Sequence, residues 1–269
     1  MEMNRMSFLE EIMSRCRDLA MKAGEEILKI YDTDFTSEIK EDRSPLTLAD
    51  SKANEIIVNG LKESFPDYAI LSEESRDDKC RLGNDYCFIV DPLDGTKEFI
   101  NRNGQFTVNI ALTYKHKAVM GVIYVPVTGQ LYYASKGDGS YVEKVTSGYA
   151  SEKLRIRVTD MVENLIMVGS KSHSSEKEAR LIKENKSKIK DTLLAGSSLK
   201  GCLVASGKAD VYYRFGLTSE WDTAAMQCIA EEAGGIFRQM DGSEMLYNRE
   251  NTLNEKGFYV VNRIENIWV

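Results

Sequence analysis

Apolar residues recur at Leu9, Ile12, Met13, Cys16, Leu19, Ala20, Ala23 and Ile27. That three- and four-residue spacing draws one buried stripe along a helix. The capping-box pattern Ser7-Phe8-Leu9-Glu10 places the start of this amphipathic helix there, and the stripe fades near Tyr31. Residues 32–44 are polar and predict a loop or an edge hairpin. A second stripe, Ala53, Ile56, Ile57 and Leu61, predicts a helix from about Thr47 that stops before Pro66. Asp50 falls in its first turn, where an acid also complements the helix dipole.

From residue 68 the pattern turns to strands. Residues 68–71 read as a short strand, 76–85 as a charged loop, and 86–90 (Tyr-Cys-Phe-Ile-Val) as a strand buried on both faces. Residues 105–114, 117–125 and 131–134 form a β meander, with Lys115-His116 at one tight turn and Lys136-Gly137-Asp138-Gly139 at another. Beyond Ser147, strands at 165–168, 192–195, 209–215, 235–237 and 258–261 alternate with helices at 174–188, 198–205 and 223–233. The expectation is an α+β protein. An antiparallel-sheet lobe (1–147) carries most of the acidic candidates, and a smaller α/β lobe (148–269) carries Asp222. The two share one cleft as a single catalytic unit.

Composition narrows the chemistry. Net charge is -7 and no long basic run exists, which argues against a nucleic acid polymer as partner but leaves room for a small anionic ligand. Five cysteines, an odd number without a CxxC pair, predict reduced buried thiols. With two histidines, a zinc site built on histidine and cysteine is not expected. No secretory pattern and no transmembrane run are seen, so a cytoplasmic protein is expected.

The chemistry concentrates in Asp91-Pro92-Leu93-Asp94-Gly95-Thr96, where the buried strand ends. Proline and glycine predict a tight turn there. Two carboxylates with a turn carbonyl suit a hard cation such as Mg²⁺; a turn whose aspartates cap the next helix would explain one of them. Asp222, in Glu220-Trp221-Asp222-Thr223-Ala224-Ala225, is expected to start a helix, where an N-cap role is the simpler alternative. Asp50, Glu73, Asp91, Asp94 and Asp222 all sit at strand ends or helix starts, where layered folds gather ligands. A phosphoaspartate phosphatase would want DxDxT. No GxxxxGK[ST], GxSxG or GxGxxG occurs, and a glycosidase would not cluster its carboxylates. Metal-assisted hydrolysis of a phosphate ester remains.

These motifs, with Glu73-Glu74 upstream and Trp221-Asp222-Thr223-Ala224-Ala225 downstream, resemble the inositol monophosphatase superfamily of Mg²⁺-dependent, Li⁺-sensitive phosphatases. Within it, residues 91–112, Gly196-Ser197-Ser198-Leu199-Lys200 and Tyr213-Arg214-Phe215-Gly216 look most like the CysQ-type 3'(2'),5'-bisphosphate nucleotidases. The resemblance implies the layered α-β-α-β-α fold of that superfamily. It implies hydrolysis of 3'-phosphoadenosine 5'-phosphate to AMP and phosphate, a reaction tied to sulfur assimilation. It further implies two or three Mg²⁺ ions held by Glu73, Asp91, the Leu93 carbonyl, Asp94 and Asp222. Asp50 and Thr96, with Glu73, would activate water. Leu93, Asp94, Gly95, Thr96 and Asp222 would face the cleaved phosphate, Ser197, Lys200 and Arg214 the second phosphate, and His173 the adenine. Lys200 and Arg214 could equally be surface cations, and His173 a solvated loop residue. The alternatives are an inositol or sugar phosphate monoesterase and a non-catalytic nucleotide or metal sensor.

Overall fold

A computed structural model describes residues 2–33, 37–39, 45–146, 149–170 and 175–269. The chain runs α1 (Glu2–Tyr31), β1 (Ser37–Ile39), β2 (Pro45–Thr47), α2 (Leu48–Ser64), β3 (Ala69–Ser72) and β4 (Tyr86–Asp94). It continues through α3 (Thr96–Ile100), β5 (Thr107–Tyr114), β6 (Lys117–Val125), β7 (Gln130–Ser135), β8 (Gly139–Thr146), β9 (Tyr149–Ala150) and β10 (Leu154–Ile156). The remainder is β11 (Leu165–Ser170), α4 (Glu176–Glu184), β12 (Ile189–Ala195), α5 (Leu199–Ala205), β13 (Val211–Arg214), α6 (Glu220–Glu232), β14 (Ile236–Gln239) and β15 (Phe258–Val261).

Two sheets carry the fold. The larger is ordered β10-β8-β7-β6-β5-β4-β3 with β9 attached to β8, and the smaller β12-β11-β13-β15-β14. Alternation along β4 shows why both its faces had to be apolar. Phe88 and Val90 point into a core shared with Ile12, Cys16 and Ile27 of α1 and Ile57 and Leu61 of α2. Cys87 and Ile89 point the other way, into a core shared with α5 and α6 and with Tyr212, Phe258 and Val260 of the smaller sheet. Leu181 of α4 then covers the outer face of that sheet against Met167, Val211 and Tyr259. The layering is therefore α-β-α-β-α.

The central layer fits closely. A Cβ on Gly121 of β6 would lie 2.5 Å from the Ala225 carbonyl oxygen and 2.8 Å from its Cα, so α6 rests directly on the sheet backbone. That contact fixes the N-terminal end of α6, where Asp222 sits, against the end of β4.

Several expectations are corrected. Helix α1 begins at Glu2, five residues before Ser7 at the expected capping box, because the good helix formers upstream extend the helix past it. The Asp91–Asp94 stretch is not a turn beyond the strand. It lies inside β4 as an irregularity, with pairing to β5 resuming at Asp94 opposite Thr107; Pro92 has no N–H to lend a ladder. The larger sheet is not purely antiparallel, since β3 runs parallel to β4. Strands β8 and β10 were not anticipated; their charged outward positions obscure the alternation, and β10 pairs with β8 from beyond residue 147. Helix α4 is shorter than 174–188, with Ser175 as its N-cap and Asn185 as its C-cap. Four cysteines are free and buried, and Cys80 is free and exposed.

Candidate functional site

Three elements deliver the acids. The interrupted strand β4 carries Asp91 and Asp94, the residue after β3 is Glu73, and the first turn of α6 holds Asp222. One carboxylate oxygen from each of Asp91, Asp94 and Asp222 lies within 4.8 Å of the others. Glu73 continues the β3–β4 pairing by donating its N–H to the Val90 carbonyl at 3.1 Å. It lines the same cleft, of about 340 Å³, without joining that tight trio.

Local chemistry settles how each acid is aimed. Asp222 is not the N-cap of α6. Ser219 is, and its N–H donates to Asp222 Oδ2 at 2.5 Å, so the acid closes a capping box from the third helical position. Asp50 does the same for α2, accepting from the Thr47 N–H at 2.8 Å and the Thr47 hydroxyl at 2.6 Å on Oδ2. Its other oxygen, Oδ1, accepts from Thr96 Oγ1 at 3.1 Å. Capping and site chemistry thus use different oxygens of one carboxylate. Asp50 is only 1% exposed and lies behind Thr96, which itself lines the cleft.

Asp94 Oδ2 accepts the Ser198 N–H and the Ser198 hydroxyl, both at 2.6 Å, and the Asn109 amide at 3.2 Å. Asp91 Oδ1 accepts the Leu93 N–H at 3.1 Å. Gly95 takes φ +92°, and a Cβ there would be strained and would meet Ser197 Cβ at 3.3 Å. This positive φ is what lets the chain leave β4 and enter α3 at once.

Burial raises the Asp91 carboxyl well above its ordinary range, reinforced by the negative charges of Glu73, Asp94, Asp222 and Asp50. Burial and the charge of Asp94 likewise push Asp222 up to about 8. Carboxylates crowded this closely, one buried and two half-buried, cannot all stay ionised without a cation. Oxygen donors, no nitrogen or sulfur among the trio, and an excess of negative charge fit a hard divalent ion.

Cations line the same cleft. Lys200 is 8% exposed, donates Nζ to the Ser197 carbonyl at 2.7 Å and lies 5.6 Å from the Tyr212 ring centroid. Burial lowers its pKa, and the charge of Asp94 opposes that shift. Arg214, at the end of β13, also faces the cleft and donates to the Leu217 carbonyl at 3.5 Å. Ser197 precedes α5 with φ +49°.

The structure therefore brings Glu73, Asp91, Leu93, Asp94, Gly95, Thr96, Ser197, Lys200, Arg214 and Asp222 to one cleft. His173 lies outside the described residues. Ser198 and Asn109 were not singled out from the sequence. Ser198 stood in the open beside Ser197, but nothing in the chain links it to a partner 104 positions away.

The chain is similar to known proteins over most of its length. The model of the inositol monophosphatase family matches residues 9–266. The 3'(2'),5'-bisphosphate nucleotidase CysQ of Salmonella typhimurium is 40% identical over 245 residues, covering 90% of this chain and 96% of that protein. Its counterpart from Escherichia coli K12 is 38% identical over 247 residues, covering 90% and 96%. The crystal structure of CysQ from Bacteroides thetaiotaomicron superposes with a TM-score of 0.81 at 45% identity, covering 93% of this chain and 97% of that one.

Proposed function

The chain belongs to the inositol monophosphatase family, and from that premise we propose that it hydrolyses the 3'-phosphate of 3'-phosphoadenosine 5'-phosphate, releasing AMP and phosphate. The observation that carries this reading is that one cleft is lined by two sets of groups, the acids Asp91, Asp94 and Asp222 and the cations Lys200 and Arg214. A monophosphate needs only the first. A bisphosphate uses both.

Glu73, Asp91, the Leu93 carbonyl, Asp94 and Asp222 would hold Mg²⁺, two or three ions in all. When bound, Mg²⁺ neutralises phosphate charge and lowers the pKa of water. The chain's own residues supply the rest. Thr96 donates its hydroxyl hydrogen bond to Asp50, which turns an oxygen lone pair towards the cleft. As an attacking water gives its proton to Thr96 Oγ1, the original hydroxyl proton would pass to Asp50, so that Thr96 ends neutral. Asp50, buried behind Thr96, keeps that hydroxyl in place and would hold the proton at the end of the step. The Gly95 and Thr96 amides, at the entry to α3, would contact the phosphate undergoing cleavage. Lys200 and Arg214, with Ser197, would bind the 5'-phosphate.

Phosphate release in Mg²⁺, compared between 3'-phosphoadenosine 5'-phosphate and inositol 1-phosphate, tests the reading. The nucleotide is expected to be the better substrate by kcat/KM. Preference for inositol 1-phosphate would replace this reading with a sugar phosphate monoesterase.

A further inference from the structure

Ser198 is 1% exposed and touches the acidic group twice over. Its backbone N–H and its hydroxyl both reach Asp94 Oδ2 at 2.6 Å, and the same hydroxyl lies 3.0 Å from the Asp222 backbone carbonyl. A serine hydroxyl has one proton. The charged, nearer carboxylate takes it in preference to the carbonyl.

The orientation of that proton is set from behind. Thr107 donates its hydroxyl to Asn109 Oδ1 at 2.9 Å, so the Asn109 amide nitrogen must face the other way. It donates to Ser198 Oγ at 2.9 Å and to Asp94 Oδ2 at 3.2 Å. Thr107 and Asn109 are as buried as Ser198. Donors therefore run in one direction, Thr107 to Asn109 to Ser198, and end on a single oxygen of Asp94. Asp94 Oδ1 accepts no hydrogen bond among the described residues. Three donors on Oδ2, with the Thr107 hydroxyl oxygen 3.5 Å from the same atom, hold the carboxylate against turning.

We infer that Ser198 is a positioning residue that confines Asp94 to one-oxygen ligation through Oδ1. It also ties the segment carrying Ser197 and Lys200 to the acidic group. This rests on the metal-dependent reading above. It assigns to Ser198, Asn109 and Thr107 the aim of a ligand rather than any contact with substrate. A carboxylate released from this clamp could turn and offer both oxygens, and ordering it would then oppose cation binding.

The test is direct titration of the metal-free protein with Mg²⁺ alone, by calorimetry and by the Mg²⁺-induced rise in melting temperature. Ser198→Ala should weaken Mg²⁺ binding about tenfold or more. Ser198→Thr, which keeps the hydroxyl, should recover most of the lost affinity. Asn109→Leu should shift Mg²⁺ affinity the same way, and carries the test should Ser198→Ala not fold. Unchanged Mg²⁺ affinity in folded Ser198→Ala or Asn109→Leu would overturn the inference while wild-type turnover leaves the functional reading standing. A wild-type protein that neither binds Mg²⁺ nor releases phosphate would overturn both.

Discussion

Thr96 Oγ1 and Asp50 Oδ1 lie 3.1 Å apart, although 46 positions separate them. The second oxygen of Asp50 is occupied by the N-terminus of α2, through Thr47. A hydroxyl held by a buried carboxylate at the rim of an acidic cleft can accept a proton more readily than an isolated one. The pair should therefore act as a unit. Thr96→Val and Asp50→Asn are each expected to lower kcat by about a hundredfold or more, with the double variant little worse than either single one. Steady-state kinetics of the three variants checks this. Additive losses would show that the residues act separately.

The acids predict a pH signature. Asp222 is ordinarily ionised above 3.8 but is pushed up to about 8 in the metal-free fold, by burial first and then by Asp94. The folded metal-free protein therefore holds a proton that the unfolded chain has released across that window. Its contribution to stability is full below 3.8 and is lost as pH rises through about 8. Mg²⁺ competes for the same carboxylate, so its apparent affinity rises with pH over the same range. The gap in melting temperature between saturating Mg²⁺ and chelator should be wider at pH 8 than at pH 6. A gap that narrows with pH would contradict the assignment.

The cations should govern nucleotide choice. Removing a charge-assisted hydrogen bond to phosphate costs about 1.5–3 kcal/mol, which is about ten- to a hundredfold in binding. Arg214→Ala should raise KM for 3'-phosphoadenosine 5'-phosphate by that order. Hydrolysis of adenosine 3'-phosphate, which lacks the second phosphate, should be little affected. Kinetics on both substrates separates this from general damage to the site.

Stability depends on the contact of Gly121 with Ala225. A Cβ at Gly121 would stand 2.5 Å from a backbone oxygen, so Gly121→Ala must push α6 off the sheet. Forced overpacking of this kind costs about 1–3 kcal/mol. The midpoint of urea denaturation should fall accordingly. Because α6 carries Asp222, Mg²⁺ binding should weaken as well.

Much of this architecture was legible in the sequence because it is local. The stripe from Leu9 to Ile27 and the continuous run of β4 announce their layers by periodicity. The acids announce themselves by standing where elements begin and end. Three kinds of feature were hidden. The parallel pairing of β3 with β4 depends on a crossover that no local pattern encodes. Asp50 and Asp222 each read as helix-start acids, and the sequence could not show that one oxygen caps while the other serves Thr96, for Asp50, or remains for the acidic trio, for Asp222. Ser198 looks like any hydroxyl at a helix start until the fold sets it against Asp94.

The central claim is that the acidic group of the cleft cleaves one phosphate while Lys200 and Arg214 hold the other. Chromatography of the products formed from 3'-phosphoadenosine 5'-phosphate in Mg²⁺ tests it most directly. The account predicts adenosine 5'-phosphate with one equivalent of phosphate, and no product when Mg²⁺ is chelated or Asp91 is replaced by asparagine. Accumulation of adenosine 3'-phosphate, or equal release with chelator present, would contradict it.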